Sequence, residues 1–189
     1  MNKIILVRHG EPDLYIDRKI SGHEISSFLE KYDKAPLKKS TYPPPSVQFW
    51  AKNATVVCSH LRRSIESAKR CEVDIDVSDK LFAEAIPPHF RSKNLVLKPK
   101  QWLVLSRILS LLGFSLHGES LRQSRLRAKE AAHYLVKLSK QQNVILFGHG
   151  LFNILIASEL RKMGYEGPKV PARNFWDAGV YKLRYRSER

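Results

Sequence analysis

A chain of 189 residues with 43% apolar and 27% charged side chains is long enough to enclose one sizeable core and too apolar to be a disordered polycation. No run reaches the roughly 18 to 20 consecutive apolar residues of a membrane span. The opening MNKIILVRHG lacks the longer apolar stretch and cleavage site of a secretory signal, so the expected location is cytoplasmic. The formal charge of +15 predicts anionic partners, whether phosphorylated molecules, nucleic acid or an acidic membrane surface, and carries no information about fold.

In chain order, residues 3–7 (KIILV) predict a buried strand. The proline- and lysine-rich stretch 33–46 predicts an irregular surface excursion. A second strand is expected over 54–58 (ATVVC), leading into a helix over 61–70. Residues 86–100 (IPPHFRSKNLVLKPK) predict a second basic loop. The stretch 102–114 (WLVLSRILSLLGF) predicts a helix that is apolar nearly all round, more than one buried stripe needs. It is read first as a core or homodimer-interface helix. The sharper reading is a hydrophobic wall that receives an apolar substrate group or touches a membrane peripherally. A helix over 121–140, a strand over 143–147 (NVILF), a helix over 151–163 and a strand over 180–185 complete the chain. Cys58 and Cys71 form no CxxC pair and have no zinc-like company, so both are expected as reduced thiols.

Strands alternating with helices predict an α/β fold: a three-layer domain with a mostly parallel central sheet and helices on both faces. Neither basic loop separates two sets of core elements, so residues 1–189 are expected to form a single domain. In such sheets ligands bind beyond the carboxyl ends of the strands. Three polar clusters fall there: Arg8-His9-Gly10, residues 59–63 (SHLRR) and Gly148-His149-Gly150. Phosphoryl transfer without a metal needs a nucleophile, cations around the phosphoryl oxygens and a proton for the leaving oxygen. A neutral, exposed imidazole nitrogen, forked arginines and a carboxylic acid can supply these.

LVRHGE at 6–11 resembles the signature of the histidine phosphatase superfamily, the phosphoglycerate mutase-like proteins. SHLRRS at 59–64, LFAE at 81–84, HGES at 117–120 and FGHG at 147–150 resemble its further segments in the same order, and the resemblance runs over nearly the whole chain. It implies a metal-free phosphatase, a phosphoric monoester hydrolase of the histidine acid phosphatase type. His9 would be the nucleophile that becomes phosphohistidine, its ring oriented by the Gly10 carbonyl. Arg8, Arg63 and His149 would hold the phosphoryl oxygens, and Glu84 would act as general acid and then base. Ser21, Gly22 and Arg18 are candidate substrate contacts. Arg62 competes with Arg63, but only Arg63 keeps the family spacing, and adjacent helical residues point apart. Glu11, Glu72 and Asp79 are the competing carboxylates, Glu11 reading as a structural partner. Two departures stand out: Tyr15 occupies a position where many members carry asparagine, and Ala85-Ile86-Pro87-Pro88 replaces a glycine-containing loop after Glu84.

No cofactor or metal is expected. The length leaves little room for a mutase-type lid, so hydrolysis of a phosphorylated small molecule or phosphoprotein is expected ahead of a phosphoglycerate mutase-type transfer. A basic protein that binds anions with little turnover is the rival from another class; nucleic acid is disfavoured, because no recognition motif accompanies the charge.

Overall fold

The computed structural model describes residues 2–85, 92, 94–111 and 119–184. Its centre is β1 (Lys3–Arg8), whose apolar run alternates between two faces. Ile4 and Leu6 enter one core cluster and Ile5 and Val7 enter another. The same division holds for β3 (Thr55–Ser59) and β6 (Val144–Gly148), which explains their unbroken hydrophobicity: strands covered on both faces have no polar side to show.

With β4 (Val77–Asp79), β7 (Tyr165–Glu166) and β8 (Ala178–Leu183), these strands form a six-stranded sheet in the order β4-β3-β6-β1-β8-β7. β4, β3, β6 and β1 are parallel; β8 runs antiparallel to β1, and β7 antiparallel to β8. One face is covered by α5 (Leu121–Ser139) and α6 (Gly150–Lys162), through Ala128, Ala132, Leu135, Phe152 and Ile156. The other carries α2 (Pro45–Lys52) and α3 (Arg62–Lys69), through Val47, Ala51 and Ala68. This is the expected three-layer α/β architecture. The pairing of β1 with β8 in register, Ile5 opposite Val180, ties the two ends of the described chain together.

A satellite cluster of Ile20, Ile25, Phe28 and Trp102 joins the short β2 (Ile20–Ser21), α1 (Ile25–Lys34) and α4 (Pro99–Leu111). β2 pairs with β5 (Val96–Leu97), and the Trp102 indole N–H donates to the Ile20 carbonyl at 2.8 Å. α1 and α2 were not legible as helices. Pro45 opens α2 in its first turn, where a missing N–H costs nothing, so the proline run that suggested an excursion is partly a helix start. Within that excursion Ala35 and Leu37 are buried. α4 begins three residues earlier than the apolar run; residues 112–114 of the expected helix and residues 86–91 and 93 of the basic loop lie outside the described residues.

Among the described residues no helix is long and apolar enough to cross a membrane. Cys58 and Cys71 are free and buried, and burial pushes both thiols up to about 12.

Candidate active site

Because β1, β3 and β6 are parallel and adjacent, their carboxyl ends bring Arg8, Ser59 and Gly148 to one edge. His9 follows at once and is 2% exposed. Its N–H donates to the Gly148 carbonyl at 3.1 Å, and ring Nδ1 lies 2.8 Å from the Gly10 carbonyl. That oxygen can only accept, so Nδ1 carries the proton and Nε2 keeps a lone pair. Burial first, then the Arg63 charge, holds this imidazole well below its usual range; the Gly10 carbonyl opposes the shift and Arg8 adds to it. His9 is therefore neutral at pH 7. Gly10 is required for space: a Cβ there would stand 2.6 Å from the Trp176 ring.

The His149 ring centroid lies 5.1 Å from that of His9, and His149 is fully buried. Ser59 Oγ sits 2.7 Å from His149 Nε2 and accepts the Leu61 N–H at 3.3 Å. Ser59 can then give its own proton to Nε2, leaving Nδ1–H as a donor. Burial, then the Arg63 charge and the neighbouring His9, holds the His149 imidazole well below its usual range, so it is neutral as well. Asn153, one turn into α6, accepts the His149 N–H at 3.3 Å and donates to the Val7 carbonyl at 3.1 Å, tying α6 to β1.

Arg63, in the first turn of α3, is 2% exposed with its guanidinium 4.8 Å from the Tyr32 ring centroid. Arg8 lies 4.5 Å from the Phe175 ring centroid, and its Nη1 donates to the Arg173 carbonyl at 2.5 Å. Arg62 points elsewhere, to Glu66 at 2.6 Å and the Lys34 carbonyl at 3.0 Å, so the two adjacent arginines are turned apart. Among the described residues, three buried side-chain nitrogens have no partner: Arg8 Nε, Arg63 Nε and His149 Nδ1. Buried donors are normally satisfied, and a set of unsatisfied ones from three strand ends is a place for an oxyanion.

Arg8, His9, Arg63 and Glu84 line a cavity of about 1160 Å³. Glu84 accepts the Phe152 N–H at 2.9 Å, the Ala85 N–H at 3.1 Å and the Leu151 N–H at 3.3 Å, at the N-terminus of α6. Its segment is fastened by Arg127, which donates to the Leu81 and Ala83 carbonyls at 2.8 Å while gripping Glu119 with both arms.

Of the remaining candidates, Asp79 reaches the cavity lining, whereas Arg18, Ser21, Gly22, Glu11 and Tyr15 do not. Arg18 pairs with Glu24 at 2.6 Å, and Ser21 donates to the same carboxylate from N–H and hydroxyl. Arg18 and Ser21 hold that exposed carboxyl down to about 2, and neither they nor Gly22 line the cavity. Glu11 pairs with Lys38 at 2.5 Å, the structural role expected of it. Asp79 caps the short 3-10 turn Lys80–Phe82 through the Leu81 N–H. Tyr15 is 80% exposed.

Sequence reasoning missed Tyr32, Asp33, Phe175, Arg127 and Asn153, and gave Ser59, within its polar cluster, no role of its own. Asp33 pairs with Arg63 at 2.7 Å inside the cavity. Among the described residues, no group of three or more His, Cys, Asp or Glu side chains is placed to hold a metal ion.

No family model matches this chain, and no curated protein matches it. Its fold does match solved structures. The product of open reading frame Rv3214 from Mycobacterium tuberculosis is 17% identical at a TM-score of 0.66, over 98% of this chain and 93% of the other. YhfR of Bacillus stearothermophilus is 14% identical at 0.61, over 100% and 98%. A mycobacterial glucosyl-3-phosphoglycerate phosphatase is 18% identical at 0.54, over 85% and 80%.

These matches correct the expectation drawn from the motifs. Likeness at such identities is likeness of fold, and without a matching family model the chain is not assigned to the histidine phosphatase superfamily. The phosphohistidine route, the histidine acid phosphatase class and the mutase alternative stood on that assignment and are set aside with it. The physical reason is that five short motifs specify a local strand-end geometry, which chemistry of more than one kind can use.

Proposed function

We propose that residues 1–189 form one catalytic domain, a phosphatase that hydrolyses phosphomonoesters of small molecules. Arg8, Arg63 and His149 hold the phosphoryl oxygens, His9 faces the phosphorus, and Glu84 stands where the leaving oxygen departs. The observation that carries this reading is the trio of unpartnered buried nitrogens, Arg8 Nε, Arg63 Nε and His149 Nδ1, around a neutral His9. With an aromatic ring beside each guanidinium and the Nη1 of each already engaged, the Nε edges are what remain for a tetrahedral anion. The phosphatase name of one solved structure with this fold is consistent support.

The test is turnover of an aryl phosphate by wild type and by His9→Ala, with EDTA and separately with Mg²⁺. Wild-type turnover abolished in the variant, with inorganic phosphate competing, is the expected result. Equal rates in the two proteins would overturn the assignment. Acid and hydroxylamine quenching of the same reaction would distinguish a nitrogen-linked from a carboxylate-linked phosphoryl group, should either form.

A further inference from the structure

The charge of the whole chain and the charge of its cavity disagree. At +15 overall, a phosphate-binding cavity would be expected to be rimmed with cations. Among the described residues the reverse holds. Arg8 and Arg63 belong to the phosphoryl group, and Arg127 is taken by Glu119 in a two-armed pair at 2.6 and 2.8 Å. Lys80 is the cation left over, and the same lining holds Glu30, Asp79 and Glu130 besides Asp33, which is already paired with Arg63. Glu30 and Glu130 are exposed, and among the described residues neither side chain has a hydrogen bond or ion pair. A second anionic group on a substrate would meet these carboxylates, and among the described residues no second clamp offsets them.

The rest of the wall is apolar. Leu103 comes from α4, Leu126 from α5, Leu81 from the 3-10 turn and Leu151 from α6, with Phe28 and Leu29 of α1 opposite. Leu126 is 61% exposed, an uncommon place for a leucine unless something covers it. α4 thus divides its apolar surface: Trp102 is buried in the satellite core, whereas Leu103 looks into the cavity.

Resting on the phosphatase reading above, we infer that the substrate is the phosphomonoester of an apolar alcohol carrying no second negative charge. The alkyl part would lie along Leu81, Leu103, Leu126 and Leu151, with the phosphoryl group at His9. Each methylene removed from water is worth about fourfold in affinity, so a homologous series reads the wall directly.

The experiment is calorimetric binding of n-alkylphosphonates, from propyl to octyl, to the full chain, beside ω-carboxyalkylphosphonates of equal length. Affinity should rise by about two- to fourfold per methylene over the first few carbons, and the terminal carboxylate should lower it at least tenfold. Replacing Leu126 by Asp should flatten the series, and the double variant Glu30→Lys/Glu130→Lys should shrink the penalty on the carboxylate several-fold. A flat series in wild type, or tighter binding of the carboxylates, would overturn the inference. Because the phosphonates are not hydrolysed, this readout is independent of turnover: absent aryl phosphate hydrolysis with a steep series would sink the phosphatase reading and leave the apolar subsite standing.

Discussion

At the scale of single residues, the site depends on which of two adjacent arginines faces the cavity. Arg63 is buried over Tyr32, and Arg62 is spent on Glu66 and a backbone carbonyl. One donor aimed at developing phosphoryl charge is worth about 10² to 10³ in rate, so Arg63→Ala should lose that much kcat/KM. Arg62→Ala should stay within about threefold, since an exposed pair contributes under about 1 kcal/mol. Equal losses would place the clamp elsewhere. Glu84 needs a variant that separates holding the helix from touching substrate. Glu84→Gln keeps one carbonyl oxygen for the Phe152 N–H, so thermal stability should change little. A carboxyl that exchanges a proton with the reacting groups is worth about 10² to 10⁴, and turnover of an alkyl phosphate should fall by that factor. Parallel loss of stability and rate would make Glu84 a structural cap only. Strand-end residues such as Arg8, His9 and His149 were legible because each follows its strand directly in sequence. Asp33 and Phe175 were not, since tertiary packing alone brings Asp33 to the cavity from 30 residues before Arg63 and sets Phe175 against His9 from the β8 side of the sheet.

At the scale of elements, the start of α6 is locked to β1 through one side chain. Asn153 accepts the His149 N–H and donates to the Val7 carbonyl, both fully inside the protein. Asn153→Ala leaves both groups without that partner, which costs about 1–3 kcal/mol for a buried group. Gly148 is coupled to it: a Cβ on Gly148 would collide with the Asn153 side chain, which supplies all three of its nearest atoms. Gly148→Ala should therefore be destabilising in wild type and nearly neutral once Asn153 is alanine. Urea unfolding of both single variants and the double should give a coupling energy of at least about 1 kcal/mol, whereas additivity would mean that the collision is relieved another way. The pattern FGHG predicted a turn at this point, but the reason for Gly148 lies five residues further on, at Asn153 in the helix. The central strands were readable from apolar runs alone because both faces are covered. β2, β4, β5 and β7 were not, because pairs of two or three residues have no period to read.

For the molecule as a whole, the overall charge predicted anionic partners in general, and only the folded cavity showed how unevenly that charge is distributed. The same burial that shapes the site also ties the stability of the whole protein to pH. His9 and His149 are both held well below the usual imidazole range, by desolvation first and by Arg63 next. In the unfolded chain both titrate near about 6.5. Below that pH the unfolded state binds two protons that the folded state refuses, so stability present above it is lost as the pH falls toward the folded-state values. Each such proton contributes about 1.4 kcal/mol per pH unit, and the two together approach about 2.7 kcal/mol per unit once the unfolded histidines are fully charged. Urea unfolding at pH 8.0, 6.5 and 5.5 should show little change across the first interval and a steep fall across the second, before carboxylate protonation contributes. His149→Asn removes one of the two protons and should reduce the slope to about half, whatever it does to stability at pH 8.0. A wild-type stability that is flat between pH 6.5 and 5.5 would mean that one or both rings take up a proton in the folded protein, and the neutral His9 on which the phosphatase reading depends would fail with it.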